Sequence, residues 1–277
     1  MSHLTAPDAA IALPPSAPPG PVLVHCDALR AAAFVPRASS RSELLSSHLA
    51  ALNVLTQGRD VWVPTFNYDF LRTGRFDSSR DPSQVGPITE AFRLSSSASW
   101  RTPTPAFSFA GSGPMPAVTA EDGSVIDPFD DSSAFALLCS LQGSIAWYGA
   151  SLSSTTLLHH AERASGVLSY RYDKDFTGLV THQERTAQLT LRYHVRPMGQ
   201  HLDYDWPRLE REALEAGVVG KLDTRGNARW APAHLLLDFW VAAMRQDPLA
   251  LLDQESRAWV DRRLQSLGRS FMRQDFE

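Results

Sequence analysis

The residues best suited to chemistry lie in the segment TTLLHHAERA, which covers residues 155–164 and follows an apolar run. His159 and Glu162 are three positions apart, so a helix places both on one face, together with Thr156. A carboxylate beside an imidazole fixes its tautomer and stabilises its protonated form, which suits a general base near neutral pH. The same spacing also occurs on solvated helix faces, so the residue types alone leave a catalytic role and a surface role open.

Metal binding is the main alternative use of this helix. His159 and Glu162, joined by His25 or His182, offer the imidazole and carboxylate ligands that transition metals accept. His160 and Glu162 have the H-x-E spacing of zinc deaminases, but the P-C-x-x-C partner is absent, and so is H-E-x-x-H. We therefore expect no metal, and a metal-dependent hydrolase stays the competing hypothesis.

Other short motifs of enzyme chemistry are absent from the chain. Neither a P-loop nor G-x-G-x-x-G occurs, so the sequence indicates no nucleoside triphosphate and no dinucleotide. Ser108 lacks the G-x-S-x-G context of a serine hydrolase. Positive charge between residues 72 and 101 suits either an ordinary surface or an anionic ligand, and it comes from Arg72, Arg75, Arg80, Arg93 and Arg101.

The composition limits the class of protein. The 277 residues, 43% of them hydrophobic, can form one large α/β domain or two small ones. A net charge of -4 without long charged runs argues against nucleic-acid binding. Cys26 and Cys139 form no C-x-x-C, which fits a reducing compartment. Since the chain has no signal-peptide pattern and no apolar run of about 18 residues, we expect a cytoplasmic protein without membrane partners.

The hydrophobic pattern predicts alternating strands and helices. Residues 21–25 and 60–64 are typical of buried strands, and the helix between them begins at Ser40, with Glu43 at capping-box spacing, and stops at Gly58. Further strands are predicted at 104–111, 144–150 and 187–195. The loop at 65–86 is predicted to be functional or partly helical. Helices are predicted at 86–93, 206–217 and 233–267, and the last is expected to break near Asp247-Pro248.

The domain prediction follows from this order of elements. A strand–helix–strand unit indicates an α/β fold with a central mixed, partly parallel sheet flanked by helices. Residues 1–20 are rich in alanine and proline and are predicted as a flexible tail. Residues 21–277 are predicted as one domain, because no repeat and no linker interrupts them.

Four segments of the chain follow one another in a characteristic order: VLVHCD (22–27), VWVPTFNYDF…RFDSSRDPSQVGPITEAFR (61–93), RTPTPAFSF (101–109) and GASLSSTTLLHHAE (149–162). In order and spacing they resemble the aminoglycoside 3-N-acetyltransferase family, also called the antibiotic N-acetyltransferases. The resemblance implies transfer of the acetyl group of acetyl-CoA to an amine, on an α/β fold unrelated to the GNAT acetyltransferases. It also implies that the 21–277 domain is an acyltransferase domain and that coenzyme A and a small-molecule amine are the partners. As an assembly we consider a homodimer.

The resemblance also implies roles for particular residues. His159 is the expected base and Glu162 its partner. We assign the acyl-donor side to Ser108, Thr65 and Phe66, with Ser108 also considered as a donor to the developing oxyanion. The acceptor side is assigned to Tyr68, Asp69, Glu90 and Thr156.

The sequence departs from the resistance enzymes at Thr104-Pro105, where they have His-Pro. The segments PTFNYDF (64–70) and YRYDKDF (170–176) resemble members linked to surface-polysaccharide or secondary-metabolite pathways more closely. The acceptor is therefore predicted to be an amino sugar or a nucleotide-linked amino sugar, with an aminoglycoside resistance enzyme as the alternative. A catalytically silent relative that binds an amino sugar or a partner protein is a further hypothesis.

Overall fold

The computed structural model describes residues 11–116, 121–224 and 227–277. The described strands are β1 (Val22–Cys26), β2 (Val61–Pro64), β3 (Arg75–Asp77), β4 (Trp100–Arg101), β5 (Phe109–Gly111), β6 (Val125–Ile126), β7 (Ser144–Tyr148), β8 (Tyr172–His182), β9 (Arg185–Val195), β10 (Gly220–Lys221) and β11 (Ala228–Pro232). The described α-helices are α1 (Ala28–Ala31), α2 (Arg41–Thr56), α3 (Phe70–Thr73), α4 (Pro87–Leu94), α5 (Ala134–Ser140), α6 (Leu157–Ser165), α7 (Trp206–Glu215), α8 (Ala233–Gln246) and α9 (Gln254–Leu267). Within these ranges no helix is both long and apolar enough to cross a membrane.

The larger of two sheets has seven strands in the order β10-β11-β7-β1-β2-β5-β4. Its centre is parallel, because β1 pairs in parallel with both β7 and β2, while the outer pairs are antiparallel. Helix α2 connects β1 to β2 and completes the predicted strand–helix–strand unit. The predicted α/β fold with a mixed, partly parallel sheet and flanking helices is therefore confirmed.

The second sheet has four strands in the order β3-β8-β9-β6. Its centre is the long antiparallel hairpin of β8 and β9, in which Tyr172 pairs with Val195 and His182 with Arg185. The sequence predicted β9 but not β8. Most side chains of β8 are exposed or half-buried, and only Tyr172 and Val180 are buried, so the strand carries little hydrophobic signal.

The two ends of α2 can be compared with the sequence signals that predicted where this helix begins and ends. The Ser40 hydroxyl accepts a hydrogen bond from the Glu43 backbone N–H at 3.1 Å, as the cap requires. The Glu43 carboxylate, however, accepts from the Ser39 N–H at 2.7 Å rather than from the cap residue, so only half of the predicted capping box forms. The helix ends at Thr56 and not at Gly58, because Gln57 already adopts a left-handed backbone with φ 52°.

Two sequence predictions differ from the structure in their extent. Residues 1–10 of the predicted tail lie outside the described residues. In residues 11–20, Leu13 is 1% exposed and its N–H donates to the Leu55 carbonyl at 2.9 Å, so this residue packs on α2. The strand predicted at 104–111 shrinks to β5, since Ala106 has a positive φ of 62° and interrupts extended structure before it.

The remaining elements match their predictions closely. The 65–86 segment is partly helical, as α3, and also supplies β3 to the second sheet. The predicted 233–267 helix is divided into α8 and α9, and Asp247 ends α8 where the Asp-Pro pair indicated a break. Helix α6 packs on α8 and follows β7, so the TTLLHHAERA segment (155–164) lies after the carboxyl end of a central strand.

Candidate active site

Helix α6 is held by a buried turn and an apolar face. The Trp147 indole at the end of β7 donates a hydrogen bond to the Thr155 hydroxyl at 2.9 Å, which fixes the turn before the helix. Leu157, Leu158 and Ala161 are almost fully buried, so they anchor one face of the helix in the core. This anchoring directs the opposite face, with its polar side chains, toward a cavity.

His159 and Glu162 form a hydrogen-bonded pair on that face. The distance from His159 Nδ1 to Glu162 Oε2 is 2.9 Å, and the two side chains are 25% and 1% exposed. An ionised carboxylate can only accept hydrogen bonds, so we assign the proton of the neutral imidazole to Nδ1. The lone pair on Nε2 is then free to take a proton.

Three further side chains surround the Glu162 carboxylate. Arg171 Nε lies 3.0 Å from Oε2, the Tyr204 hydroxyl donates to Oε1 at 2.8 Å, and the Tyr170 hydroxyl donates to Oε1 at 3.2 Å. All three residues are at most 9% exposed. Glu162 is therefore a buried carboxylate whose oxygens are both engaged, the arrangement that a buried charge requires.

The electrostatics leave the His159 imidazole neutral and the Glu162 carboxylate charged. Burial alone would raise the pKa of Glu162, but the Arg171 guanidinium and the hydrogen bonds from His159 and Tyr204 outweigh it and lower that pKa to about 2. The pKa of His159 is lowered, chiefly by burial and further by Arg171, although Glu162 opposes the shift. At neutral pH the pair is thus a neutral imidazole beside a carboxylate, as a general base requires.

A cavity of about 420 Å³ opens in front of His159. Its walls are rich in aromatic rings, namely Phe66, Tyr68, Phe107, Tyr193, Tyr204 and Trp206. Its charged lining consists of Arg171, Arg196 and Asp203, and the last two lie 3.7 Å apart. A cavity of this size, lined by both aromatic rings and polar side chains, can enclose a small molecule.

The structure brings four predicted site residues together at this cavity: His159, Thr156, Phe66 and Tyr68 all line it. Glu162 does not line the cavity itself and is hydrogen-bonded to His159. Four residues near the pair were not indicated by the sequence: Arg171, Tyr170, Tyr204 and Tyr193. Two of them fall in the quoted segment YRYDKDF, but nothing in their spacing indicates that they contact Glu162.

Thr65 and Ser108 were predicted on the acyl-donor side, and the structure places them elsewhere. Both are 0% exposed, and neither lines the cavity. Their hydroxyls each accept from Arg101 Nε at 3.1 Å, and Ser108 Oγ donates to the Thr65 carbonyl at 2.8 Å. These hydroxyls are enclosed in an internal network away from the cavity lining, and their contact with acetyl-CoA or an oxyanion stays a prediction.

Asp69 and Glu90 were predicted on the acceptor side and are also absent from the cavity lining. Asp69 accepts from Gln84 Nε2 at 2.9 Å and from Arg72 at 3.3 Å. Glu90 pairs with Arg93 at 2.7 Å and accepts from the Ser83 N–H at 2.8 Å. Both carboxylates organise the 65–93 segment, which has many local polar partners, rather than face the cavity.

The other histidines separate into different environments. His160 is 3% exposed, its Nδ1 donates to the Phe129 carbonyl at 2.7 Å, and it does not line the cavity. His182 bonds to Ser78 Oγ at 2.9 Å in the second sheet. Among the described residues no group of three His, Cys, Asp or Glu side chains is arranged to hold a metal ion.

His25 is the penultimate residue of β1, lines the cavity and is 3% exposed. Within the described part of the chain, its Nε2 has no hydrogen-bond partner. Burial lowers the pKa of His25 from 6.5 to about 4, so the imidazole stays neutral well below neutral pH.

This burial predicts an acid-sensitive contribution to stability. Between pH 6.5 and pH 4 the unfolded chain binds a proton at His25 that the folded chain does not, so stability falls as the pH falls. We expect His25→Gln to reduce the stability lost between pH 7 and pH 4 by about 3 kcal/mol at most, measured by urea unfolding. His201→Gln is the control, because Asp253 raises the pKa of the exposed His201. An equal loss in wild type and His25→Gln would contradict the expectation.

Comparisons with known proteins place this site in a family. The sequence model described as aminoglycoside 3-N-acetyltransferase matches residues 47–245, more than half of the chain. No curated protein sequence matches the chain. Several solved structures share the fold at low sequence identity. The structure of AAC-IIIb as a binary complex with CoASH has a TM-score of 0.65 and 20% identity, over 83% of this chain and 91% of that one.

Two further structures show the same likeness. The sisomicin-bound structure of AAC-VIa has a TM-score of 0.61 and 19% identity, over 83% of this chain and 92% of that one. The YokD protein from Bacillus subtilis has a TM-score of 0.60 and 16% identity, over 83% and 88% of the two chains. At these identities the structures establish a common fold, and the sequence match carries the family.

Proposed function

Since the chain belongs to the aminoglycoside 3-N-acetyltransferase family, we propose that His159 acts as the general base of an acetyl-CoA-dependent N-acetyltransferase at the aromatic cavity. The family membership makes the protein an acetyltransferase that uses acetyl-CoA as acyl donor. The observation that carries the assignment of the base is the pair of His159 with the buried carboxylate of Glu162, at 2.9 Å, open to the cavity.

The reaction requires the acceptor as a neutral amine, because an ammonium ion has no lone pair with which to attack the thioester. As the amine nitrogen bonds to the carbonyl carbon, Nε2 of His159 takes one of the N–H protons of that nitrogen, and Glu162 stabilises the imidazolium that forms. The C–S bond then breaks, and the proton on His159 can pass to the departing thiolate of coenzyme A. No group of the protein becomes covalently attached, because the thiolate is already a good leaving group.

The acceptor is proposed as a primary amine on a sugar or aminocyclitol ring. The aromatic walls suit such rings, because the apolar faces of a sugar pack well on Phe, Tyr and Trp side chains. The family and the sisomicin-bound relative favour an aminoglycoside as the first candidate. An aminoglycoside is the alternative acceptor that the sequence predicts. The comparisons support it better than a link to surface-polysaccharide pathways, for which they offer no support.

One observation keeps a singly charged or nucleotide-linked amino sugar as the second candidate. Asp203 is the one carboxylate among the described residues that line the cavity, and it lies 3.7 Å from Arg196. An aminoglycoside carries several ammonium groups, and carboxylates would be needed to bind them. Thr104, whose departure from the resistance enzymes first suggested this acceptor, lies at a separate cavity of about 110 Å³ and adds no argument.

Acetyl-CoA is expected to stabilise the protein against heat. At a hundredfold excess over Kd, ligand binding adds about 2.7 kcal/mol to the free energy of unfolding, which corresponds to a Tm increase of several degrees. NAD and ATP should have much smaller effects, because the chain has neither of their binding motifs. An unchanged Tm at saturating acetyl-CoA would contradict the assignment of the acyl donor.

The acceptor is tested by thiol release from acetyl-CoA over a panel of amines. Aminoglycosides, free amino sugars and nucleotide-linked amino sugars are compared by kcat/KM. A value at least tenfold higher for the aminoglycosides would establish the first candidate over the second, and the reverse order would establish the second. No turnover with any amine would overturn the proposed acetyl transfer.

A further inference from the structure

Arg171 contacts Glu162, Tyr204 and the His194 backbone in the buried surroundings of the pair. Its side chain is 2% exposed, and its three nitrogens contact three different groups. Nε lies 3.0 Å from Glu162 Oε2, Nη1 donates to the His194 carbonyl at 2.7 Å, and Nη2 donates to the Tyr204 hydroxyl. The Tyr204 hydroxyl in turn donates to Glu162 Oε1, so guanidinium, phenol and carboxylate form a closed ring of contacts.

The closed ring has a chemical consequence for the imidazole. A buried carboxylate with a histidine as its only partner tends to share one proton with it. A guanidinium stays protonated at any ordinary pH, so it keeps Glu162 ionised whether or not His159 is protonated. Glu162 can then only accept, which holds the neutral imidazole in the tautomer with its proton on Nδ1.

Arg171 also acts on His159 directly. Its Nη2 lies 3.4 Å from His159 Nδ1, and both atoms are donors in the assigned tautomer, so they form no hydrogen bond. The guanidinium charge therefore repels the imidazolium and favours release of its proton.

We propose that Arg171, oriented by Tyr204, is a positioning residue that fixes the tautomer of His159 and sets the pH at which the imidazole becomes free to accept a proton. The inference rests on the proposed role of His159 as the base. Arg171 acts through Glu162 and His159, and it exchanges no proton itself.

Other ionisable groups face the same site and must be considered with Arg171. Arg196, after β9, also lowers the pKa of His159, but more weakly than Arg171. Tyr170, Tyr193 and Tyr204 have raised pKa values, chiefly because they are buried, so they are neutral phenols over the working range. The His194 imidazole pairs with Asp173 at 2.9 Å, and the His194 backbone carbonyl accepts a hydrogen bond from Arg171. The guanidinium of Arg171 is thus the largest charge that opposes protonation of His159.

Arg171→Met, Arg171→Lys and Tyr170→Phe form the test set. Methionine has a similar length and no charge, so the pair of His159 and Glu162 retains a proton to higher pH. We expect the acid limb of the kcat–pH profile to move up by about one unit or more. Tyr170→Phe removes a hydrogen bond to Glu162 Oε1 without a change of charge, so the acid limb of its kcat–pH profile should stay at the wild-type pH. An unmoved limb in folded Arg171→Met would overturn the proposal.

Arg171→Lys keeps the inference testable if Arg171→Met does not fold. Lysine keeps the charge but lacks the planar fork that reaches Glu162, Tyr204 and the His194 carbonyl together. We expect an unmoved acid limb and a kcat that is lower by about tenfold to a hundredfold in the folded protein, because the imidazole is less well oriented. A purely structural role predicts lower stability with wild-type kcat per folded molecule, and that result would contradict a positioning role.

The same inference has a readout that needs no activity. Nitrogen-15 NMR of the protein without substrates reports the tautomer and titration of His159, assigned by comparison with His159→Ala. Wild type should show the proton on Nδ1 and a pKa below 6.5, and Arg171→Met should show a higher pKa. If wild type acetylates no amine, the proposed function fails while this titration still decides the effect of Arg171.

Discussion

His159→Ala is expected to lower kcat by about 10²- to 10⁴-fold, the usual contribution of a positioned general base. The variant keeps the aromatic cavity, and its effect on acetyl-CoA affinity should be small, because the lost group accepts the proton of the amine rather than binding the acyl donor. The side chain is 25% exposed, so its truncation should cost little stability. The measurement is kcat with acetyl-CoA saturating, corrected for the folded fraction.

His160→Ala is the matched control, since the two histidines are neighbours on α6. His160 faces about 100° away from His159. Its imidazole is buried and donates to the Phe129 carbonyl, so its loss should lower stability by about 1–3 kcal/mol while kcat per folded molecule stays near wild type. If His160→Ala abolished turnover and His159→Ala did not, the base would have been assigned to the wrong histidine.

Glu162→Gln is expected to destabilise the protein by about 3–5 kcal/mol, the usual effect of removing one partner of a buried ion pair. The change leaves the Arg171 guanidinium, 2% exposed, without its carboxylate. It should also lower kcat, because a neutral amide stabilises the imidazolium less than a carboxylate does. Urea unfolding at neutral pH measures the first effect, and kcat of the folded fraction measures the second.

Asp175→Asn provides the control for the loss of a carboxylate. Asp175 pairs with Arg192 at 3.0 Å, but the two side chains are 44% and 43% exposed, so its removal should cost about 1 kcal/mol or less. Equal destabilisation by Asp175→Asn and Glu162→Gln would show that the buried ion pair of Glu162 and Arg171 contributes no more to stability than an exposed pair.

The lowered pKa of Glu162 also fixes the pH at which this carboxylate stabilises the fold. With a folded-state pKa of about 2 and an ordinary value of 4.5, its contribution is present above about pH 4.5 and is lost as the pH falls toward 2. Glu162→Gln should therefore lose less stability than wild type over this window.

The central part of the fold could be predicted from the sequence because its signals are local. The apolar strands β1, β2 and β7 and the Ser40 cap of α2 lie within short windows, and each formed where the pattern placed it. Strand β8 could not be predicted, because its exposed face follows its pairing with β9 and not its own hydrophobicity. The packing of Leu13 on α2 likewise depends on a contact with Leu55, far along the chain.

The site shows the same limit. His159 and Glu162 share one helix, so their proximity follows from a spacing of three residues. The enclosure of the Thr65 and Ser108 hydroxyls by Arg101 could not be predicted, because the contact from Arg101 to Thr65 spans 36 residues. Tyr204, 42 residues after Glu162, reaches the carboxylate only through the tertiary fold, and no motif marks it.

The pH dependence of kcat in wild type and His159→Ala tests the central claim most directly. Wild-type kcat should rise through an apparent pKa below 6.5, the direction in which burial and Arg171 move His159, and then level off. A limb that reflects the acceptor's own amine would be common to both enzymes, so the difference between the profiles isolates the imidazole. The account predicts that His159→Ala lacks the lower limb. A His159→Ala enzyme that keeps this limb at near wild-type kcat would contradict it.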